Sequence, residues 1–151
     1  MTVEKVVRDL EGFADEKVKE GQKRYAINTE RSFGIKMPVL RAYAKKLGKD
    51  HSLALALWKT NIHEARMLAA FIAEPSKTTE KLIESWVKDF NSWDICDQAC
   101  GEVFRKTDLA YTKAVEWSKR EEEYVKRAGF VLMAGLAVHE KKAPDKEFIK
   151  F

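Results

Sequence analysis

The sequence predicts an all-α protein built from antiparallel helix pairs, and three observations carry that reading. Apolar residues recur at helical spacing along nearly the whole chain, and no segment shows the alternation bounded by turn signals that a strand needs. Gly (7) and Pro (3) are few among 151 residues, which disfavours a turn-rich β architecture. Finally, two stretches look alike: residues 53–71 and 110–132 each end one helix in a tryptophan and place an arginine ahead of a small-residue run in the next. Trp58 and Arg66 are eight residues apart, Trp117 and Arg127 ten. The two stretches lie about 60 residues apart with a further pair (79–105) between them, so each unit takes roughly 30 residues, the period of helical-pair solenoids. The expected fold is a right-handed superhelix of HEAT/ARM-like helical repeats, an α-solenoid whose second helices line a concave face.

The elements follow in order. Val3, Val6, Val7, Leu10, Phe13, Ala14 and Val18 share one helical face, with Thr2 as N-cap, and Gly21 ends that helix. Residues 22–36 are basic and aperiodic and are expected to form a loop with one turn near Arg24–Ile27. Pro38 and Gly48 bracket the next helix, as a first-turn proline and a C-terminal glycine do. Asp50 caps a helix over 52–59, and Asn61 caps another over 63–73, stopped at Glu74–Pro75–Ser76. Thr79 opens a helix over 80–90, Asn91 or Ser92 one over 93–106, and Asp108 one over 109–119. A longer helix covers 122–138, and Pro144–Asp145 begins a last one. That last segment ends on Phe148, Ile149 and Phe151, an apolar half-helix ill suited to cap a solenoid. The chain therefore reads as a single repeat domain, 1–151, with further repeats expected to follow.

Length and composition fit a globular domain that needs neither disulfides nor metals, with 45% hydrophobic and 34% charged residues. The N-terminus has no apolar signal-peptide core, and no run approaches 18 apolar residues, so neither secretion nor a membrane span is expected. The reading is a cytoplasmic protein with reduced Cys96 and Cys100. The net charge is +4, yet it is uneven. Between Lys17 and Lys46 stand nine basic residues (Lys17, Lys19, Lys23, Arg24, Arg31, Lys36, Arg41, Lys45, Lys46) against Glu20 and Glu30. Such a field suits a polyanion, and equally describes a solvated lysine-rich face.

Most motifs that would carry chemistry are missing. His63–Glu64 begins like a metalloprotease helix, but the residue four beyond His63 is Met67. His51 and His139 lack ligand-type neighbours, so no metal is expected, and no nucleotide-binding or esterase motif calls for a cofactor. Cys96 and Cys100, four apart, read as small buried residues. More informative is 91–104, where Trp93 and Asp97 project from one face at the start of a helix. The helix dipole favours an ionised carboxylate there. Carboxylate and aromatic ring together suit a cationic ligand or a developing oxocarbenium ion. First-turn acids Asp94 and Asp97 beside a core tryptophan account for the same residues structurally. Trp58, Trp86 and Trp117 recur at equivalent helix positions and read as core. Arg66 either lines the concave face or pairs with a local acid such as Glu64.

Four stretches, in order and spacing, resemble the DNA alkylation repair family of AlkD-like glycosylases: KRYAINTERSFGIKMPVLRAYAK (23–45), LWKTNIHEARMLA (57–69), SWDICD (92–97) and WSKREEEYVKRAGF (117–130). The resemblance implies that Asp97 is the catalytic aspartate and that Trp93 packs against the deoxyribose of the lesion. It implies that Arg127 holds the backbone beside the lesion and that Tyr25 is an aromatic of the N-terminal part of the cleft. It further implies excision of N3- or N7-alkylated purines from duplex DNA, trapping the lesion through its backbone; a monomer is the default expectation, and the expected location is the cytoplasm, in association with the nucleoid. Lys23, Arg24, Arg31, Lys36 and Arg66 would meet DNA. The family places another cleft tryptophan in a later repeat, beyond Phe151. Two alternatives belong to other classes: a non-catalytic HEAT-like DNA-binding protein, and a protein scaffold whose binding would show no salt dependence.

Overall fold

The computed structural model describes residues 1–139, with the side chain of His139 excepted; the expected last helix from Pro144 lies outside them. Among the described residues every regular element is helical: α1 (Val3–Gly12), α2 (Glu16–Arg24), α3 (Met37–Leu47), α4 (His51–Trp58), α5 (His63–Ile72), α6 (Glu80–Asp89), α7 (Trp93–Glu102), α8 (Ala110–Ser118) and α9 (Glu123–His139). Short 3₁₀ turns lie at Pro75–Lys77 and Phe104–Lys106. No helix there is long and apolar enough to cross a membrane. The chain forms two compact units, Met1–Glu74 and Pro75–Phe151.

Most boundaries follow local chemistry. Thr2, Asp50 and Thr79 cap as expected, their side chains accepting from the amides of Lys5, Leu53 and Leu82. Asn61 does not cap; Ile62 takes that place, and Asn61 turns the chain at φ 60°, a conformation asparagine tolerates. Asp108 does not cap either, since α8 begins after Leu109. Ser92 stands at the N-cap of α7, but its hydroxyl donates to Asp94 instead.

The largest departure is at the start. The expected helix over 3–18 breaks at Phe13–Asp15, and α2 runs through Gly21 to Arg24. Asp15 is the reason: its carboxylate accepts from the amides of Lys17 and Val18, and its own amide donates to Phe33 O and Gly34 O. A capping aspartate held by a distant loop outweighs the continuity of the apolar stripe. Gly21 lies inside α2 at a place where a Cβ would meet nothing within 4 Å, so the helix loses no packing to it.

In the first unit α5 is the central helix. It buries His63, Glu64, Ala65, Met67, Leu68, Ala69, Ala70 and Ile72 while packing on α1, α3 and α4. In the second unit α9 plays the same part against α6, α7 and α8. Gly129 lets α8 and α9 touch: a Cβ there would stand 2.4 Å from the Ser118 backbone nitrogen. Phe104 centres an aromatic cluster, with ring centroids 5.7 Å from Trp117, 6.1 Å from Phe90 and 6.5 Å from Trp86.

A buried cation joins α6 to α8. Lys113 Nζ donates to Glu84 at 2.8 Å, to Glu116 at 3.3 Å and to Glu80 at 3.4 Å. Trp117 Nε1 also donates to Glu84, at 3.1 Å. Burial works against the charges of both Lys113 and Glu84. Their mutual hydrogen bonds outweigh it, raising the lysine and lowering the carboxyl from their ordinary values.

Candidate functional site

In the second unit, α7 and α9 run the same way, side by side. Two thiols mark their register: Cys96 donates to Tyr124 O at 3.5 Å and Cys100 to Ala128 O at 3.8 Å. Each step of four residues on α7 matches a step of four on α9. Both cysteines are buried, and burial pushes the Cys100 thiol well up, so it stays protonated.

That register sets Asp97 against Arg127. The guanidinium donates Nε to Asp97 Oδ1 at 2.8 Å and Nη2 to Oδ2 at 2.7 Å, a two-pronged fork. The pair is open, with side-chain exposures of 36% for Asp97 and 43% for Arg127. The aspartate hydrogen bond raises the arginine further above its ordinary value. One turn before Asp97 stands Trp93, 36% exposed, whereas Trp58, Trp86 and Trp117 are buried as core residues. Tyr124, on α9 beside this pair, lines a shallow depression of about 180 Å³ floored by Val87, Phe90 and Val125. Three residues singled out in the sequence therefore occupy neighbouring turns of two adjacent helices. A carboxyl group held in a fixed orientation, an exposed indole and a guanidinium suit a cationic group attached to a phosphodiester.

The remaining predicted contacts belong to the first unit. Lys23 and Arg24 form the last turn of α2, and Tyr25, its C-cap, is 73% exposed. The turn closes with Ala26 N donating to Lys23 O and Ile27 N to Gln22 O, the paired pattern of a Schellman motif. Its left-handed residue is Ala26, at φ 59°, where glycine is usual. Arg31 and Lys36 are exposed, and Arg31 Nη2 donates to Thr60 O at 3.2 Å. Arg66 lays its guanidinium 5.1 Å from the Trp58 ring centroid and donates Nε to Trp58 O. It thus supports the α4–α5 turn.

Sequence reasoning missed the role of Glu64. This carboxylate, fully buried on α5, accepts from Phe33 N at 2.9 Å, Ser32 Oγ at 3.0 Å, Gly34 N at 3.2 Å and Gln22 Nε2 at 3.5 Å. The available signal was an acid amid apolar neighbours: Met67 and Leu68 share its helical face and are buried with it. The Asp97–Arg127 pairing had a signal too. The two are 30 residues apart, the repeat period, so they hold like places on successive second helices.

Helix pairs of this period define a helical-repeat protein, and the open carboxylate–guanidinium fork beside an exposed tryptophan is its candidate site. The chain belongs to the DNA alkylation repair enzyme family, whose model matches residues 6–149. A solved structure described as "A new family of proteins related to the HEAT-like repeat DNA glycosylases with affinity for branched DNA structures" superposes on 99% of this chain and 72% of its own, with a TM-score of 0.79 at 18% identity. That likeness shows the HEAT-like repeat fold. The uncharacterized protein Lin0241 of Listeria innocua serovar 6a is 28% identical over 101 residues, 65% of this chain; the match spans 45% of that relative's length.

Proposed function

We propose that the protein binds duplex DNA and excises N3- or N7-alkylated purines by hydrolysing the N-glycosidic bond. The observation that carries this reading is the Asp97 carboxylate, fixed by Arg127 yet open to solvent one turn from exposed Trp93, in a member of the DNA alkylation repair enzyme family. An alkylated purine already carries positive charge and leaves readily, so a general acid is dispensable. When the C1′–N bond breaks, its electron pair neutralises the departing base and the sugar becomes an oxocarbenium ion. A carboxylate held in place beforehand stabilises that cation and orients the attacking water, whose proton passes to Asp97 or to solvent. The face of Trp93 adds attraction for the cation, on the order of 0.5–2 kcal/mol. Arg127 would hold the adjacent phosphate with charge-assisted hydrogen bonds. Lys23, Arg24, Arg31 and Lys36 supply affinity that depends on salt and not on sequence.

A second reading, a DNA-binding protein without catalysis, has specific support. Both Asp97 oxygens are engaged by Arg127, and the solved relative is described by its affinity for branched DNA. Release of N7-methylguanine from duplex DNA, by the wild type and by Asp97→Asn, separates the two.

A further inference from the structure

We propose that buried Glu64 is a positioning residue that shapes the basic edge of the first unit for contact with DNA phosphates. The inference rests on the DNA-binding reading above.

A carboxylate is costly to bury, and α5 is apolar on the faces around it. Glu64 is nevertheless fully buried, and its partners come from two segments that adjoin exposed cations. Gln22 is in the last turn of α2, next to Lys23, Arg24 and exposed Tyr25. Ser32, Phe33 and Gly34 directly follow Arg31. The two segments also meet at Ser32, whose single hydroxyl proton is shared between Gln22 Oε1 at 2.8 Å and the Glu64 carboxylate at 3.0 Å. His63 N donates to Arg31 O at 2.8 Å and fixes the loop from the neighbouring residue of α5. Gly34 seats the loop against α2: at φ +76°, any Cβ there would lie 2.3 Å from Asp15 O. The end of α2 and the loop over 31–34 are thus gathered on one carboxylate, which fixes the backbone from which Lys23, Arg24 and Arg31 project.

The charge of Glu64 makes the proposal testable by sign. Removing a negative charge from a basic unit should tighten DNA binding by Coulomb attraction alone. If Glu64 positions the cations, neutralising it should weaken binding. Glu64→Gln turns an amide N–H₂ either toward Phe33 N, the donor at Oε1, or toward Gly34 N, Gln22 Nε2 and Ser32 Oγ, the donors at Oε2, and so opens part of the clamp.

The experiment is equilibrium binding of an unmodified duplex by the wild type and Glu64→Gln over a range of sodium chloride concentrations, with circular dichroism and melting curves to establish folding. Each lost phosphate contact lowers the slope of log K against log salt by about 0.9, so a folded Glu64→Gln should bind roughly ten-fold more weakly with a slope shallower by about two. Ser32→Ala, which leaves both backbone donors in place, should shift binding in the same direction by less, and it decides the matter if Glu64→Gln does not fold. Unchanged or tighter binding by a folded variant would overturn the positioning role while leaving DNA binding intact. A wild type with no salt-dependent binding would instead overturn the DNA-binding reading, and the inference with it.

Discussion

Two residues show opposite relations between local cost and use. Ala26 occupies a left-handed conformation at φ 59°, where a Cβ meets its own carbonyl, so the turn that presents Tyr25 is held at a cost. Ala26→Gly should stabilise the protein by about 0.5–1 kcal/mol, less than the full relief because glycine has more freedom in the unfolded chain. Melting curves check this, and an unchanged or lower melting temperature would mean that Ala26 is not strained. Arg127, by contrast, forms an ion pair that adds little to folding. The pair is more than a third exposed on both sides, and exposed pairs are typically worth 0.2–1 kcal/mol. Arg127→Ala should therefore lower the melting temperature only slightly while weakening duplex affinity several-fold. A large drop in melting temperature with unchanged affinity would place Arg127 among structural residues.

At the scale of elements, α6 and α8 are joined by the contacts of Lys113 with Glu84 and Glu80, while Glu116 meets the same cation from within α8. Glu84 is held below its ordinary value of 4.5 because its hydrogen bonds from Lys113 and Trp117 outweigh burial. A carboxyl lowered in the folded state contributes stability above its unfolded value and loses it as pH falls through the folded one. Acid should therefore lower the melting temperature from about pH 4.5 downward, and Glu84→Gln should flatten that arm of the profile. An identical acid arm in the variant would remove Glu84 from the account. The elements also show what the sequence made legible. Thr2, Asp50 and Thr79 were readable because a cap is a local bargain between one side chain and amides two or three residues on. The break at Asp15 was not, because it depends on a loop eighteen or nineteen residues away, at Phe33 and Gly34. Asn61 and Asp108 carried cap chemistry without capping, since α5 starts where His63 N meets Arg31 O, and α8 starts only after Leu109.

Over the whole molecule, the helical-pair period was plain in the sequence because it repeats. Trp58 and Trp117 announced equivalent core places, and both are buried. Trp93 and Asp97 stood out by their spacing on one helical face, and their roles, with that of Arg127, came through the resemblance; the parallel register of α7 and α9 explains why the aspartate meets the arginine. Glu64 stayed hidden because a buried acid declares its use only through partners distant in sequence. The charge over Lys17–Lys46 was visible; the clamp that shapes its edge was not.

We propose that Asp97 carries glycosidic hydrolysis. Its most direct test is release of N7-methylguanine from alkylated duplex DNA by the wild type and by Asp97→Asn, with duplex binding measured on both. If Asp97 acts so, the wild type releases the base, the variant releases none above background, and the two bind DNA comparably. Release that persists in Asp97→Asn, or its absence from a wild type that binds the same duplex, would contradict it.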